Sequence, residues 1–274
     1  MNITVLSENT SSMDNLGSEH GLSVLVEMGD ATILFDTGCG TLFFENAEKL
    51  GKDLSLVTHL ILSHGHYDHG GGIPAFLNIN KQAQVFLRPE AFSDLYVKRA
   101  ENVLDYVGLP EGLKDSPRLT YTHDGMEVAP GVTLYSDIAL SEPVPGTNWG
   151  LLMKREGELV PDSFAHEQVA ELMEDGKILL LSGCSHHGIV NVLRDYQKKT
   201  GREPDMIIGG FHLHSHVTGR ADDAVIDHVA QTLAQTKAEV YTCHCTGLPA
   251  YEELKKRLPR QIDYLSGGQS LTLS

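Results

Sequence analysis

The sequence of 274 residues is short of tryptophan, cysteine and positive charge: one Trp, four Cys, and 21 Lys plus Arg against 37 Asp plus Glu, a formal net charge of −16. Each shortage excludes something. A chain this acidic does not bind nucleic acid or an anionic membrane through diffuse charge. No apolar run approaches the roughly 18 residues that a helical membrane span requires. The opening MNITVLSENT has neither the basic patch nor the apolar core of a secretory signal, which predicts a cytoplasmic protein. Cys39, Cys184, Cys243 and Cys245 do not suggest a disulfide framework, and pairing Cys243 with Cys245, two positions apart, would strain the bridge. Reduced thiols are expected. Neither a GxGxxG nor a GxxxxGK[ST] nucleotide fingerprint is present. Against these shortages stand 14 histidines, a number that asks first for a metal.

The hydrophobic pattern predicts one α/β domain over 1–274. Strands are expected at 3–7, 22–29 and 31–38, the last two as a hairpin, and a helix at 41–51 closed by Gly51. The β-branched run LVTHLILS (56–63) reads as a buried strand that stops at HGHYDHGGG (64–72). A short helix follows at 73–79, and a strand at 84–89. Residues 90–118 are irregular, carry Pro110 and Pro117, and are expected to form a helical flap over a site. Strands return near 119–123, 126–129, 132–138 and 150–157. The second half then alternates strand (177–183, 205–210, 239–243) with helix (189–201, 221–237, 248–258), and the end is expected to be β.

The strongest chemical signal is His64-Gly65-His66-Tyr67-Asp68-His69, directly after an apolar strand. In extended backbone, residues two apart point the same way, so His64 and His66 could grip one ion. A turn after Tyr67 would send Asp68 and His69 towards a second. Imidazole and carboxylate suit zinc, and also manganese or iron. The competing reading is a solvated loop with chance histidines, but structural histidines rarely cluster this densely. His59, inside the strand, reads as a satisfied core residue. The lone Trp149 and Asn148 could line a pocket.

HGHYDH resembles the HxHxDH signature of the metallo-β-lactamase superfamily. LFDTG (34–38), GCSHHGIVN (183–191) and HCTG (244–247) resemble its other motifs in order. With HGLS (20–23) and GGFHL (209–213) they are similar to one subgroup, the dihydropterin-methyl-ribofuranosylaminobenzene-phosphate synthases. The likeness runs over about 3–273. It implies a four-layer αββα sandwich with mixed β-sheets and two divalent metal ions, zinc foremost. It implies His64 and His66 at the first ion, and Asp68, His69 and His244 at the second; His186, which follows an apolar strand where a ligand is rigidly held, is the choice for the remaining first-site histidine. Asp68 would also be catalytic, orienting a metal-bound hydroxide. Asp36 would orient ligands from below. Cys184 stands where many members carry a bridging Asp, so it is either a sulfur ligand or a small packing residue. His166 rivals His186. His212 and His20 could contact substrate, and Cys243 and Cys245 are expected to pack on the face opposite His244.

These residues permit a dinuclear metal-dependent hydrolase acting on a small anionic ester, phosphate or carboxylic. The alternatives are a pterin-pathway synthase on the same metals, a di-iron redox protein, and a non-catalytic module. The sequence shows no flavin-binding extension, and its ligand set is intact, which weighs against the last two. The partner is expected to be a small anion; the oligomeric state is open.

Overall fold

Period-two alternation builds this molecule. Along Ser23–Met28, Val24 and Val26 face one way and Leu25 the other; along Ala31–Phe35, Ile33 and Phe35 oppose Leu34; along Lys177–Leu181, Leu179 and Leu181 oppose Leu180. Strands apolar on both faces must be covered on both faces, so each sheet needs two neighbouring layers. The computed structural model, which describes residues 1–99 and 103–274, meets this requirement with a four-layer αββα sandwich.

The first seven-stranded sheet runs, in spatial order, Ser270–Thr272, Asn2–Ser7, Ser23–Met28, Ala31–Phe35, His59–Ile61, Gln84–Leu87 and Leu119–Tyr121. The second, also seven-stranded, runs Ile262–Tyr264, Glu239–Thr242, Met206–Gly209, Lys177–Leu181, Val169–Glu174, Val132–Tyr135 and Met126–Ala129. Their inner faces share one apolar core that includes Ile33, Phe35, Leu134, Leu179 and Ile208. The outer face of the first is covered by helices Leu42–Lys49 and Ile73–Ile79 through Phe43 and Phe76. The outer face of the second is covered by helices Ile189–Thr200, Asp223–Ala234 and Leu248–Arg257. Ala31–Phe35, His59–Ile61, Gln84–Leu87 and Leu119–Tyr121 are mutually parallel, as are Lys177–Leu181, Met206–Gly209, Glu239–Thr242 and Ile262–Tyr264. The loops leaving the carboxyl ends of parallel strands carry the histidine motifs, the position where open α/β sheets bind ligands.

Two expectations are corrected. The run 56–63 is a strand only over His59–Ile61, because Leu54–Leu56 winds into a 3₁₀ turn capped by the Asp53 side chain. Residues 90–118 are not a helical flap. Leu95–Lys98 and Leu104–Tyr106 are strands of a third, four-stranded sheet with Leu151–Arg155 and Glu158–Pro161. The reason lies in Leu95, Tyr96, Val97 and Lys98, which alternate buried and half-buried at period two, so Leu95 and Val97 form a small apolar cluster with Val107. The part of the expected flap at 100–102 lies outside the described residues. Among the described residues no helix is long and apolar enough to cross a membrane.

Candidate metal centre

Asp36 leaves its strand with a positive φ of 61° and is wholly buried. Its carboxylate accepts the Ser63 backbone N–H (2.7 Å), the Ser63 hydroxyl (2.7 Å) and His69 Nδ1–H (2.7 Å). Having given its proton to Asp36, Ser63 Oγ is free to accept His64 Nδ1–H at 2.9 Å. One carboxylate therefore sets two rings, and both turn their Nε2 towards the cavity. Gly183 lets the second sheet close on this arrangement: a Cβ there would stand 2.2 Å from Ser63 Oγ.

His186 is oriented by Asn148. The amide donates to the His186 carbonyl (2.8 Å), so its oxygen faces and accepts His186 Nδ1–H (2.9 Å). His244 is oriented by Asn9 in the same way, Nδ1–H to Oδ1 at 2.7 Å, while the Glu8 carboxylate accepts its backbone N–H at 2.6 Å. His64, His66 and His186 bring one nitrogen each within 4.8 Å of one another. Across the same cavity His69 Nε2 lies 3.2 Å from His244 Nε2, and Asp68 Oδ2 lies 3.4 Å from His244 Nε2 and 3.9 Å from His69 Nε2. The turn after Tyr67 that separates the two groups is the short helix Tyr67–Gly70.

Protonation suits the donors to a cation. Burial, and then the neighbouring imidazoles, hold His64 and His186 well below the usual histidine range. Burial brings His66 to about 4 and His244 to about 4. Burial opposes ionisation of Asp68, but the surrounding His69, His20 and His244 outweigh it and keep the carboxyl well below the usual range. His69 is the exception: burial lowers it, and the Asp36 and Asp68 carboxylates outweigh burial and raise it. His64 Nε2 and His186 Nε2 are buried without a hydrogen-bond partner. Orphaned buried acceptors are costly, and a divalent ion relieves that cost. The donor set fits metal.

The other expected residues also find places. Cys184 is buried, its Sγ 3.2 Å from His69 Nε2, and burial raises the thiol well above its ordinary range. His20 Nε2 lies 3.3 Å from Asp68 Oδ2. His212 lines the cavity with its ring centroid 4.4 Å from His186, and burial lowers it to about 3. His166 sits near His66, but both its nitrogens are engaged: Nδ1 accepts the Gly65 N–H (3.1 Å) and Nε2 faces Asp162 (3.1 Å). His187 binds Glu167 (2.6 Å) and stands aside. Cys245 departs from expectation. The strand ends at Thr242 and His244 takes φ +50°, so alternation fails; Cys245 reaches the cavity with Cys184 and His244, and only Cys243 enters the inter-sheet core. The positioning residues Glu8, Asn9, Ser63, Asp162 and Glu167 were not foreseen. Nothing in periodicity marks them, although Glu167 adjoins His166 in the noted SFAHEQ stretch.

A sandwich carrying this motif set at its strand ends belongs to the metallo-β-lactamase superfamily, and the family profile described by that name matches residues 16–200. The chain is 28% identical, over an alignment of 272 positions that covers 92% of this chain and 89% of the relative, to the 7,8-dihydropterin-6-methyl-4-(beta-D-ribofuranosyl)-aminobenzene-5'-phosphate synthase of Methanocaldococcus jannaschii. It is also similar to the crystal structure of Tm1679, described as a metal-dependent hydrolase of the beta-lactamase superfamily: 32% identity, TM-score 0.85, covering 100% of this chain and 99% of that one. Zn²⁺-bound PqqB from Methylobacterium extorquens shares the fold at 14% identity and TM-score 0.57, with full coverage of both chains (100% and 100%).

Proposed function

We propose that this protein is a dinuclear, zinc-dependent hydrolase of small anionic esters, phosphate or carboxylic. One observation carries the reading: two groups of buried donors face each other across one cavity, with His64, His69, His186 and His244 turned inward by partners on their far nitrogens. His64, His66 and His186 would hold one ion, and Asp68, His69 and His244 the other. Such ions supply an ionised water near neutral pH and polarise the ester oxygen. The chain's own residues do the rest. Asp36, Ser63, Asn148 and Asn9 hold Nδ1 of His69, His64, His186 and His244 respectively, which favours the tautomer that leaves Nε2 free for an ion. Asp68 stays ionised and lies close enough to orient a nucleophile. Thr147 donates to the His212 carbonyl and accepts from its Nδ1, leaving His212 Nε2 to face substrate. On a body of net charge −16, a cavity holding two dications is the local electropositive point and draws anions. The absence of a cysteine framework accords with work in the cytoplasm.

The identity to the pterin-linked synthase favours a second reading, the formation of that relative's named product on the same metals. Metal analysis of protein purified without chelator, then a panel of phosphate esters, carboxylic esters and lactones, separates the two. About two ions per chain and metal-dependent ester cleavage are expected. Bound metal with no ester cleaved, but the synthase product formed, would overturn the hydrolase.

A further inference from the structure

The cavity is larger than its reaction centre requires. It measures about 610 Å³. Pockets of roughly 300–1,000 Å³ hold whole small molecules, and a phosphate or carboxylate at the histidines fills only a corner. The histidines form one wall. The lining also includes the apolar Val97, Leu151, Val217, Leu248 and Trp149. Trp149 is 60% exposed and is the chain's single tryptophan. Among the described residues no ring stacks on the indole and no cation lies over it. A bare indole lining an open cavity marks a surface for a ligand.

Its placement is tightly determined. The 3₁₀ turn Gly146–Asn148 just before it is fastened to the site at both His186 and His212, through Asn148 and Thr147. Just after it, Gly150 takes φ +90°, and a Cβ there would meet the Lys98 carbonyl at 2.9 Å, so the chain turns at once into the third sheet. The turn that orients two imidazoles therefore also presents the indole.

We propose that Trp149 is a stacking platform for a planar ring, so that the substrate is an aryl or heteroaryl ester whose anionic group lies at the histidines. This rests on the ester-hydrolase reading. The test uses the full-length, zinc-loaded protein with two unhydrolysable anions of equal charge and ring size, phenylphosphonate and cyclohexylphosphonate. Phenylphosphonate should quench the sole indole and bind about three- to tenfold more tightly, the margin that stacking adds beyond buried area. Trp149→Ala, followed by calorimetry, should lose that preference and keep the cyclohexylphosphonate affinity; Trp149→Tyr should keep part of the preference. Equal binding of the two by the wild type, or equal weakening of both in Trp149→Ala, overturns the platform and leaves the hydrolase standing. A phenyl preference that survives chelation undiminished supports the platform and overturns the metal-ester reading. Binding of neither overturns both.

Discussion

Gly183→Ala tests whether the orientation of the histidines depends on Ser63. The added Cβ would stand 2.2 Å from Ser63 Oγ, 2.6 Å from Ser63 Cβ and 3.1 Å from His64 Nδ1. Contacts under 3 Å do not persist, and Ser63 is no flexible tip: its N–H and hydroxyl both bind Asp36, and its oxygen receives His64. Ser63 must move. Overpacking of this kind costs about 1–3 kcal/mol, and a lost hydrogen bond to a carboxylate adds about 1.5–3 kcal/mol. The metal-free protein should therefore unfold at lower denaturant by roughly 3–5 kcal/mol. Zinc affinity, measured by competition with a chelating indicator, should fall about 10- to 100-fold, as for other residues that orient a ligand. Ser63→Ala removes the hydroxyl with no clash. It should lose similar zinc affinity at a smaller stability cost. Because both substitutions disturb the same Ser63–His64 bond, their effects on zinc should be less than additive in the double variant, although the contact with Ser63 Cβ at 2.6 Å persists in Ser63→Ala. Additive zinc effects, or wild-type zinc affinity in Gly183→Ala, would refute this account.

His186→Ala and His166→Ala separate a ligand from a support. His186→Ala should lower metal content towards about one ion per chain, since too few donors remain at the first site. His166→Ala should keep both ions at reduced affinity, because it removes the acceptor of the Gly65 N–H and the partner of Asp162 but no donor turned to an ion; the converse outcome exchanges the assignments. Tyr196→Phe probes a place far from the cavity. The buried hydroxyl donates to Glu171, which also receives Arg202 at 2.7 Å. Its loss should cost about 2 kcal/mol in denaturant unfolding and leave zinc binding untouched; a change in metal stoichiometry would contradict that.

The elements were largely legible because the strands repeat at period two and the helices at their own period, over stretches such as 31–38 and 189–201; the four-layer arrangement came from the resemblance of the motifs to a known family. Legibility failed where the signal was short. Leu95–Lys98 is only four residues, flanked by prolines in the wider segment, and too brief for alternation to stand out. At the site, His64, His66, Asp68 and His69 were readable as a dense cluster after a strand, and His244 and Asp36 through the motif resemblance. The residues that hold them were not. Asn9, Asn148 and Glu167 are 235, 38 and 19–20 positions from the rings or N–H groups they bind, and each is an ordinary polar residue in sequence. Cys245 shows a third kind of failure. Strand parity predicted its face correctly only up to the residue at which the strand stops.

Cys184 is the residue for which burial and charge pull in opposite directions. Its sulfur touches His69 and shares a donor group with His64 and His69, and another with His244 and Cys245. Without a cation, burial keeps the thiol protonated, and it behaves as a small apolar residue. A dication between the two donor groups reverses that preference, because a coordinating thiol is deprotonated outright. Packing and ligation are then two protonation states of one side chain, selected by metal. Cobalt substitution distinguishes them: a coordinated thiolate gives sulfur-to-cobalt charge transfer in the near ultraviolet. The band should be present in the wild type, lost in Cys184→Ser, and kept in Cys243→Ser, whose sulfur faces the inter-sheet core. Zinc affinity should fall by about tenfold or more in Cys184→Ser if sulfur is a ligand. A wild-type cobalt spectrum without that band, together with unchanged zinc affinity in Cys184→Ser, would assign the residue to packing alone.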